Sequence, residues 1–230
     1  MSVALLLYGS RARGDFRKNS DVDLLSIKAD GQIRFREEKR NVTLHEYSFS
    51  YLLDKAMNGD LFVLHLVSEG ESLADDLGLF VKIKEAYEYK DNYDTEKLEA
   101  SAVATYCLLQ NVNFKESFVK KRLIWAIRTL IIASAAEERK PVFSSSMMKE
   151  YSDLEGLDHL INNRNRATLF EIKNFTSTVL NKYGTSVKPI LPFGIDSDLR
   201  VFRGFGSVAN STPAYVRGQG LKEFWNTFYL

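Results

Sequence analysis

Gly9-Ser10-Arg11-Ala12-Arg13-Gly14-Asp15-Phe16-Arg17-Lys18-Asn19-Ser20-Asp21-Val22-Asp23-Leu24 is the stretch on which the reading of this chain turns. It follows an apolar run, Val3-Ala4-Leu5-Leu6-Leu7-Tyr8, that reads as a buried strand. Gly9 lets the backbone leave that strand in a conformation that a side chain would resist. Ser10 then caps a short helix and brings a hydroxyl. Backbone N–H groups at a helix start face outward and favour anions, so phosphates can dock there. Gly14 ends the short helix in a left-handed conformation. Residues Asp21 to Ile27 read as a second strand, and strand alternation puts Asp21 and Asp23 on one face. Two convergent carboxylates repel unless a cation lies between them, and magnesium takes oxygen ligands while keeping substrate phosphates in its shell. Two metals roughly 3.5–4 Å apart can activate an attacking hydroxyl and stabilise a leaving pyrophosphate. An isolated Asp-x-Asp is usually a solvated surface strand. The preceding strand, the Gly-Ser turn and the spaced Gly14 favour the catalytic reading here.

The pattern carried by Gly9, Ser10, Gly14, Ser20, Asp21 and Asp23 resembles that of the DNA polymerase beta-like nucleotidyltransferase superfamily, particularly its small bacterial and archaeal members. The resemblance covers roughly the first 70 residues, the size of one small domain. It implies transfer of a nucleoside monophosphate from an NTP or dNTP to a hydroxyl, with release of pyrophosphate. The implied catalytic set is Asp21, Asp23 and Ser10, with Mg2+ or Mn2+ on the two aspartates. Gly9, Ser10, Arg11, Arg13 and Ser20 are the expected nucleotide-binding residues, the two arginines because they lie inside the phosphate turn.

One departure stands out. The family places a third carboxylate near the start of a later strand, for which the candidate is Asn41-Val42-Thr43-Leu44-His45-Glu46-Tyr47. The expected position falls near Thr43, which is not acidic. Glu46 is the nearest acid and the candidate third metal ligand. It has the opposite strand parity to Thr43, so it faces away unless a bulge intervenes.

The 230 residues are 45% hydrophobic and 27% charged, enough for one large or two small domains with their own cores. A net charge of +1 gives no global basic signal for duplex binding, so a nucleic-acid acceptor would need a local patch. The single cysteine, Cys107, lies in an apolar helical run and reads as a buried thiol, with no disulfide framework available. The three histidines, His45, His65 and His159, are too scattered to suggest zinc. His65 reads as a satisfied core histidine rather than a catalytic base. The expected setting is soluble and cytoplasmic, with no signal peptide and no membrane segment.

The expected fold is α/β, a small mixed sheet of polymerase beta-like type, joined to a C-terminal helical bundle and an aromatic-rich extension. The spacing predicts domains at 1–92, 93–184 and 185–230. Within the first, Leu24–Ile27 and Gln32–Arg36 read as a hairpin about Ala29-Asp30-Gly31. Residues 48–90 read as helical, with Ser48 as a cap, a stop at Asn58-Gly59, and helices over Asp60–Glu69 and Gly78–Lys90. In the second, helices are expected near Glu96–Asn111, Lys115–Arg139, Leu154–Asn163 and Ala167–Lys182, a bundle of the kind that closes the nucleotide cleft in many superfamily members. Lys120, Lys121, Arg122 and Arg128 read as surface residues of the long helix opposite an apolar stripe. Lys121, Trp125 and Arg128 share a face suited to a triphosphate or a base. Arg164 and Arg166 are weaker phosphate candidates.

The last segment is broken by Pro and Gly but dense in aromatic rings, which argues against disorder. A short helix is expected from Leu221 to Leu230. Thr227 and Tyr229 are candidate self-acceptors there, with Ser211 and Thr212 upstream. Three acceptor classes stay open: a protein hydroxyl, an oligonucleotide grown without template, and a small molecule such as an aminoglycoside. The first two rank higher, because no acidic pocket for a cationic antibiotic is evident. By family analogy they place the chain in phage defence or a toxin–antitoxin module, with a partner protein encoded nearby. A degenerate nucleotide-binding module is the non-enzymatic alternative, favoured by Thr43.

Overall fold

The apolar run near the start forms β1 (Ser2–Tyr8), and the computed structural model describes residues 2–16, 20–29, 35–39, 41–109, 113–188 and 194–219. The chain divides into two units, Met1–Lys90 and Asp91–Leu230.

In the first unit β1 is followed by α1 (Ser10–Arg13), β2 (Val22–Lys28), β3 (Phe35–Lys39), β4 (Val42–Ser48), α2 (Phe49–Met57), α3 (Leu61–Glu69), β5 (Glu71–Asp75) and α4 (Leu79–Glu85). The strands form one mixed sheet in the order β3-β4-β2-β1-β5. β1 runs antiparallel to β2 and β5, β3 runs antiparallel to β4, and β2 and β4 are parallel. Strand alternation sorts the side chains. Ala4, Leu6, Tyr8, Leu25, Ile27, Thr43, His45 and Tyr47 fall on one face, and all are buried. Helical residues cover that face. Phe62 of α3 meets the rings of Tyr8 and Tyr47, and Tyr51 of α2 stacks on Tyr47 at 5.6 Å.

The helix ends follow local chemistry. Ser48 Oγ accepts from the Tyr51 amide at 3.2 Å, and the chain leaves α2 through Asn58 and a left-handed Gly59. Asp60 caps α3 through the amides of Phe62 and Val63. Asp75 does the same for α4 from a distance, taking the amides of Leu79 and Phe80 at 2.7 and 3.0 Å.

Two sequence expectations concern this sheet. The expected hairpin of residues 24–27 with 32–36 lies partly outside the described residues; among those described, β2 lies between β1 and β4, and Phe35 and Arg36 of β3 pair with β4. A parallel partner from further along the chain takes the place of the sequence neighbour, a choice that turn signals cannot reveal. The helical reading of residues 48–90 misses β5, whose Glu-Ser-Leu-Ala-Asp sequence has no β-branched residue and is a strand because β1 offers it a free edge.

The second unit is helical: α5 (Asp94–Leu108), α6 (Glu116–Glu137), α7 (Ser145–Ser152), α8 (Leu157–Asn162), α9 (Leu169–Tyr183), α10 (Ile195–Phe202) and α11 (Ser207–Val216). α6 is its centre and touches α5, α7, α9 and α11. The expected one-sided stripe on α6 is therefore corrected. Buried residues occur all round it, Trp125 among them, and Arg122 is not a surface residue but 0% exposed. Arg122 donates to Ser211 Oγ at 2.7 Å and lies over the Tyr215 ring at 4.3 Å. Burial lowers its pKa to about 10. α9 begins with the reciprocal pair Thr168 and Glu171, in which each side chain bonds the other residue's backbone N–H. α11 tolerates Pro213 in its interior. Residues 194–219 thus form two further helices of this unit, packed on one another and, through α11, on α5 and α6. The helix expected over Leu221–Leu230 lies outside the described residues.

Candidate active site

Gly9 and Asp23 are brought together by sheet register. Tyr8 stands opposite Asp23 on the antiparallel β1–β2 ladder, so Gly9 follows directly beside it. Gly9 has φ 75° and ψ −153°, a region essentially confined to glycine. A Cβ built there would lie 3.1 Å from Asp23 Oδ2. The missing side chain therefore leaves the carboxylate open to the turn. The Arg13 amide closes the turn onto the Gly9 carbonyl at 3.1 Å, and Gly14 ends it with φ 79° and ψ 3°. Ser10 does not cap α1 as expected. Gly9 occupies the cap position, and Ser10 is the first helical residue with no side-chain cap bond.

On its other side Asp23 pairs with Thr43 across the parallel β2–β4 ladder, and Ser26 pairs with Glu46. The ladder runs without a bulge, so Thr43 shares the side of Asp23 and Glu46 does not. Glu46 binds Lys28 Nζ at 2.7 Å instead. The proposal of Glu46 as third metal ligand is corrected on both counts. Asp21 lies just before β2, exposed, with Val22 N held by the Asn41 carbonyl at 2.8 Å.

The arginines of the turn make contacts within the chain itself. Arg11 donates to the backbone carbonyls of Ser20 at 2.9 Å and Asp21 at 3.2 Å, and lies over the Phe16 ring at 4.9 Å. It staples the turn to the segment that carries both aspartates. Arg13 bonds Glu69 and both carboxylate oxygens of Asp15. Each guanidinium is directed at the protein's own acceptors. Glu69 had no sequence signal: it is one acid near a helix end, and only the fold brings it to Arg13. His65 is buried and 2.7 Å from Glu69, in keeping with a satisfied core histidine.

Lys121 and Arg128 lie on α6 of the helical unit. Lys121 is exposed, and Arg128 reaches the Phe143 carbonyl at 3.5 Å. Trp125, which shares their face by helical spacing, is buried in the core. Thr227 and Tyr229 lie outside the described residues. Ser211 and Thr212 are corrected as acceptors: both are buried, and both hydroxyls donate to the Val208 carbonyl.

A divalent cation fits the donor set. Asp21 and Asp23 are hard oxygen donors at alternate positions that would hold it, and the glycine at position 9 leaves room beside Asp23 Oδ2 for phosphates to complete the shell. No group of three acidic, histidine or cysteine ligands occurs among the described residues.

Residues 2–129, more than half of the chain, match the family model described as "Nucleotidyltransferase domain". The chain belongs to the nucleotidyltransferase domain family, within the polymerase beta-like superfamily whose Gly-Ser and Ser-Asp-x-Asp elements it carries. It is thereby a transferase of the nucleotidyl-transferring class. A solved structure, a nucleotidyltransferase-like protein from Exiguobacterium sibiricum 255-15, aligns at 15% identity and TM-score 0.30, over 92% of this chain and 71% of that one. No curated protein matches the chain. No helix among the described residues is long and apolar enough to cross a membrane.

Proposed function

We propose that the Gly9–Asp23 site holds a magnesium- or manganese-bound nucleoside triphosphate and transfers its nucleoside monophosphate to a hydroxyl. The acceptor hydroxyl releases its proton to solvent as its oxygen bonds the α-phosphorus, the bond from that phosphorus to the β-phosphate bridging oxygen breaks, and pyrophosphate leaves. The observation that carries this reading is the close approach of Gly9 to Asp23 Oδ2, which joins an open backbone turn to a carboxylate on one register pair. When bound, the cation supplies charge neutralisation at the phosphates. The chain's own part is positional. Gly9 and Ser10 present backbone amides, Asp21 and Asp23 hold the cation, and Arg11 fixes the segment bearing them. Lys121 and Arg128 are not needed for this reading.

The acceptor is a protein hydroxyl or an oligonucleotide end, and the setting is phage defence or a toxin–antitoxin pair. An aminoglycoside ranks lower. A cavity of about 430 Å³ in the helical unit is lined by Glu137 and Glu138, but these pair with Lys97 and Lys140 and offer no free acidic surface for a cationic drug. A second reading, a module that binds nucleotide without transfer, is favoured by Thr43, which stands beside Asp23 where a third carboxylate would serve.

The test is to incubate the full chain with each radiolabelled NTP and dNTP, magnesium or manganese, and cell extract as acceptor source, beside Asp21→Asn/Asp23→Asn. Metal-dependent label on protein or in an oligonucleotide ladder, lost in the variant, supports transfer and names the acceptor class. Binding without label in either form supports the module.

A further inference from the structure

Four residues cannot hold a helix by themselves, since nucleation is unfavourable and α1 is only one turn long. The conformation of the Gly9–Gly14 turn must therefore come from what it is tied to. Arg11 ties it forward to Ser20 and Asp21. Arg13, the last residue of α1, ties it sideways to Glu69 at the end of α3. Glu69 Oε2 is shared. It accepts from Arg13 and sits 2.7 Å from Nε2 of His65, one turn back on α3. The His65 ring meets Tyr8 edge-on, centroids 5.7 Å apart, and Tyr8 is the residue opposite Asp23. The side chains of Glu69 and His65 are only 8% and 10% exposed. A charge-assisted bond at that depth is stronger and more directional than one on the surface.

The geometry points to Glu69 as a positioning residue for nucleotide binding. Acting through Arg13, it holds α1 against α3, so that Gly9 and Ser10 keep the conformation that leaves Asp23 open. Glu69 touches neither aspartate nor the turn amides, so its effect passes through the guanidinium. This role rests on the proposed reading that the turn takes a triphosphate. Two other roles make opposite demands. An ion pair serving stability alone would move the melting temperature and leave binding unchanged. An Arg13 that served phosphate directly would be released by loss of Glu69, and binding would tighten.

The experiment measures dissociation constants for each of the four common NTPs and the four corresponding dNTPs with magnesium. It uses the full chain, Glu69→Gln, Arg13→Ala and the double variant, below the melting temperature of each. The expected result is that both single variants weaken binding about tenfold and the double variant no more than the worse single, because the pair acts as a unit. Arg13 is only partly buried, so Arg13→Ala carries the test if Glu69→Gln does not fold; the expected loss is then the same tenfold. Binding within twofold of wild type in the variants, whatever their melting temperatures, overturns the role. So does full additivity. So does weakening in Arg13→Ala with unchanged or tighter binding in Glu69→Gln, which would make Arg13 a direct ligand. If the wild-type chain binds none of the four NTPs, nor any of the four corresponding dNTPs, the nucleotide reading itself falls and the positioning role with it.

Discussion

Gly9 and Thr43 flank one carboxylate from two different strands, and each sets a different limit on it. Gly9 occupies a backbone region that costs other residues about 1–3 kcal/mol. A methyl there would also press on Asp23 Oδ2 at 3.1 Å. Gly9→Ala should lower folding stability by about 2 kcal/mol in urea titrations and abolish magnesium-dependent nucleotide binding. Thr43 is buried and in register with Asp23. Thr43→Asp would set two carboxylates side by side, so its melting temperature should fall in EDTA and recover with magnesium by more than that of wild type. Equal recovery in both would show that no cation reaches Asp23.

These positions were readable in the sequence. Gly9, Gly14, Asp21 and Asp23 follow from one local pattern, and strand parity already set Glu46 apart from Thr43. The partners of Arg11 and Arg13 were not readable, because carbonyls and a carboxylate 56 residues away become neighbours only through the fold.

Helices of both units show the same division between local and distant causes. Ser48, Asp60 and Thr168 cap the helices that follow them, and such caps lie within three residues of what they bond. α11 has no such residue. Gly206 stands at its cap, and Glu99 of α5 accepts the amides of Val208 and Ala209 at 2.7 and 2.9 Å in its place. Gly206 must be glycine for this: its φ is 132°, and a Cβ would fall 2.3 Å from Glu99 Oε1. Burial pushes the Glu99 pKa up, while those amides and Arg122 pull it back. Glu99→Ala strips two amides of their acceptor and should destabilise the chain by about 2 kcal/mol in denaturant unfolding. A change under about 0.5 kcal/mol would mean that water replaces the carboxylate.

Cys107, also on α5, is buried, and burial pushes its thiol up to about 12 from an ordinary value near 9. A native chain should show no thiol reactive to Ellman's reagent at pH 8 and an unfolded one should show one. The sign of the pH effect follows. Above pH 9 the unfolded chain releases this proton and the folded chain keeps it, so stability falls as pH rises. Arg122, with its pKa lowered to about 10, opposes this above that pH. The contribution of Cys107 is thus clearest from pH 9 to 10, and Cys107→Ala should make the fall there shallower, leaving that from the raised Tyr106, Tyr151 and Tyr215 hydroxyls at higher pH. The apolar run around Cys107 made its burial readable, whereas α11 was hidden by Pro213 and by a cap held 109 residues away.

Taken as a whole, the chain joins a mixed-sheet unit to a helical one, and the family match runs from the first strand into α6. The chemistry assigned to it rests on the sheet unit, where register sets Asp23 beside the Gly9 turn and Asp21 lies just before the same strand. The acceptor does not enter that assignment, so its test should not need one. Magnesium-dependent binding of nucleoside triphosphates, followed by calorimetry in wild type and in Asp21→Asn/Asp23→Asn, asks the question directly. The predicted result is binding that requires magnesium in wild type and is lost in the variant, with a melting temperature unchanged or raised as two like charges are removed. Nucleotide binding of equal strength in the two proteins, or binding indifferent to magnesium, would contradict the assignment of the Gly9–Asp23 site.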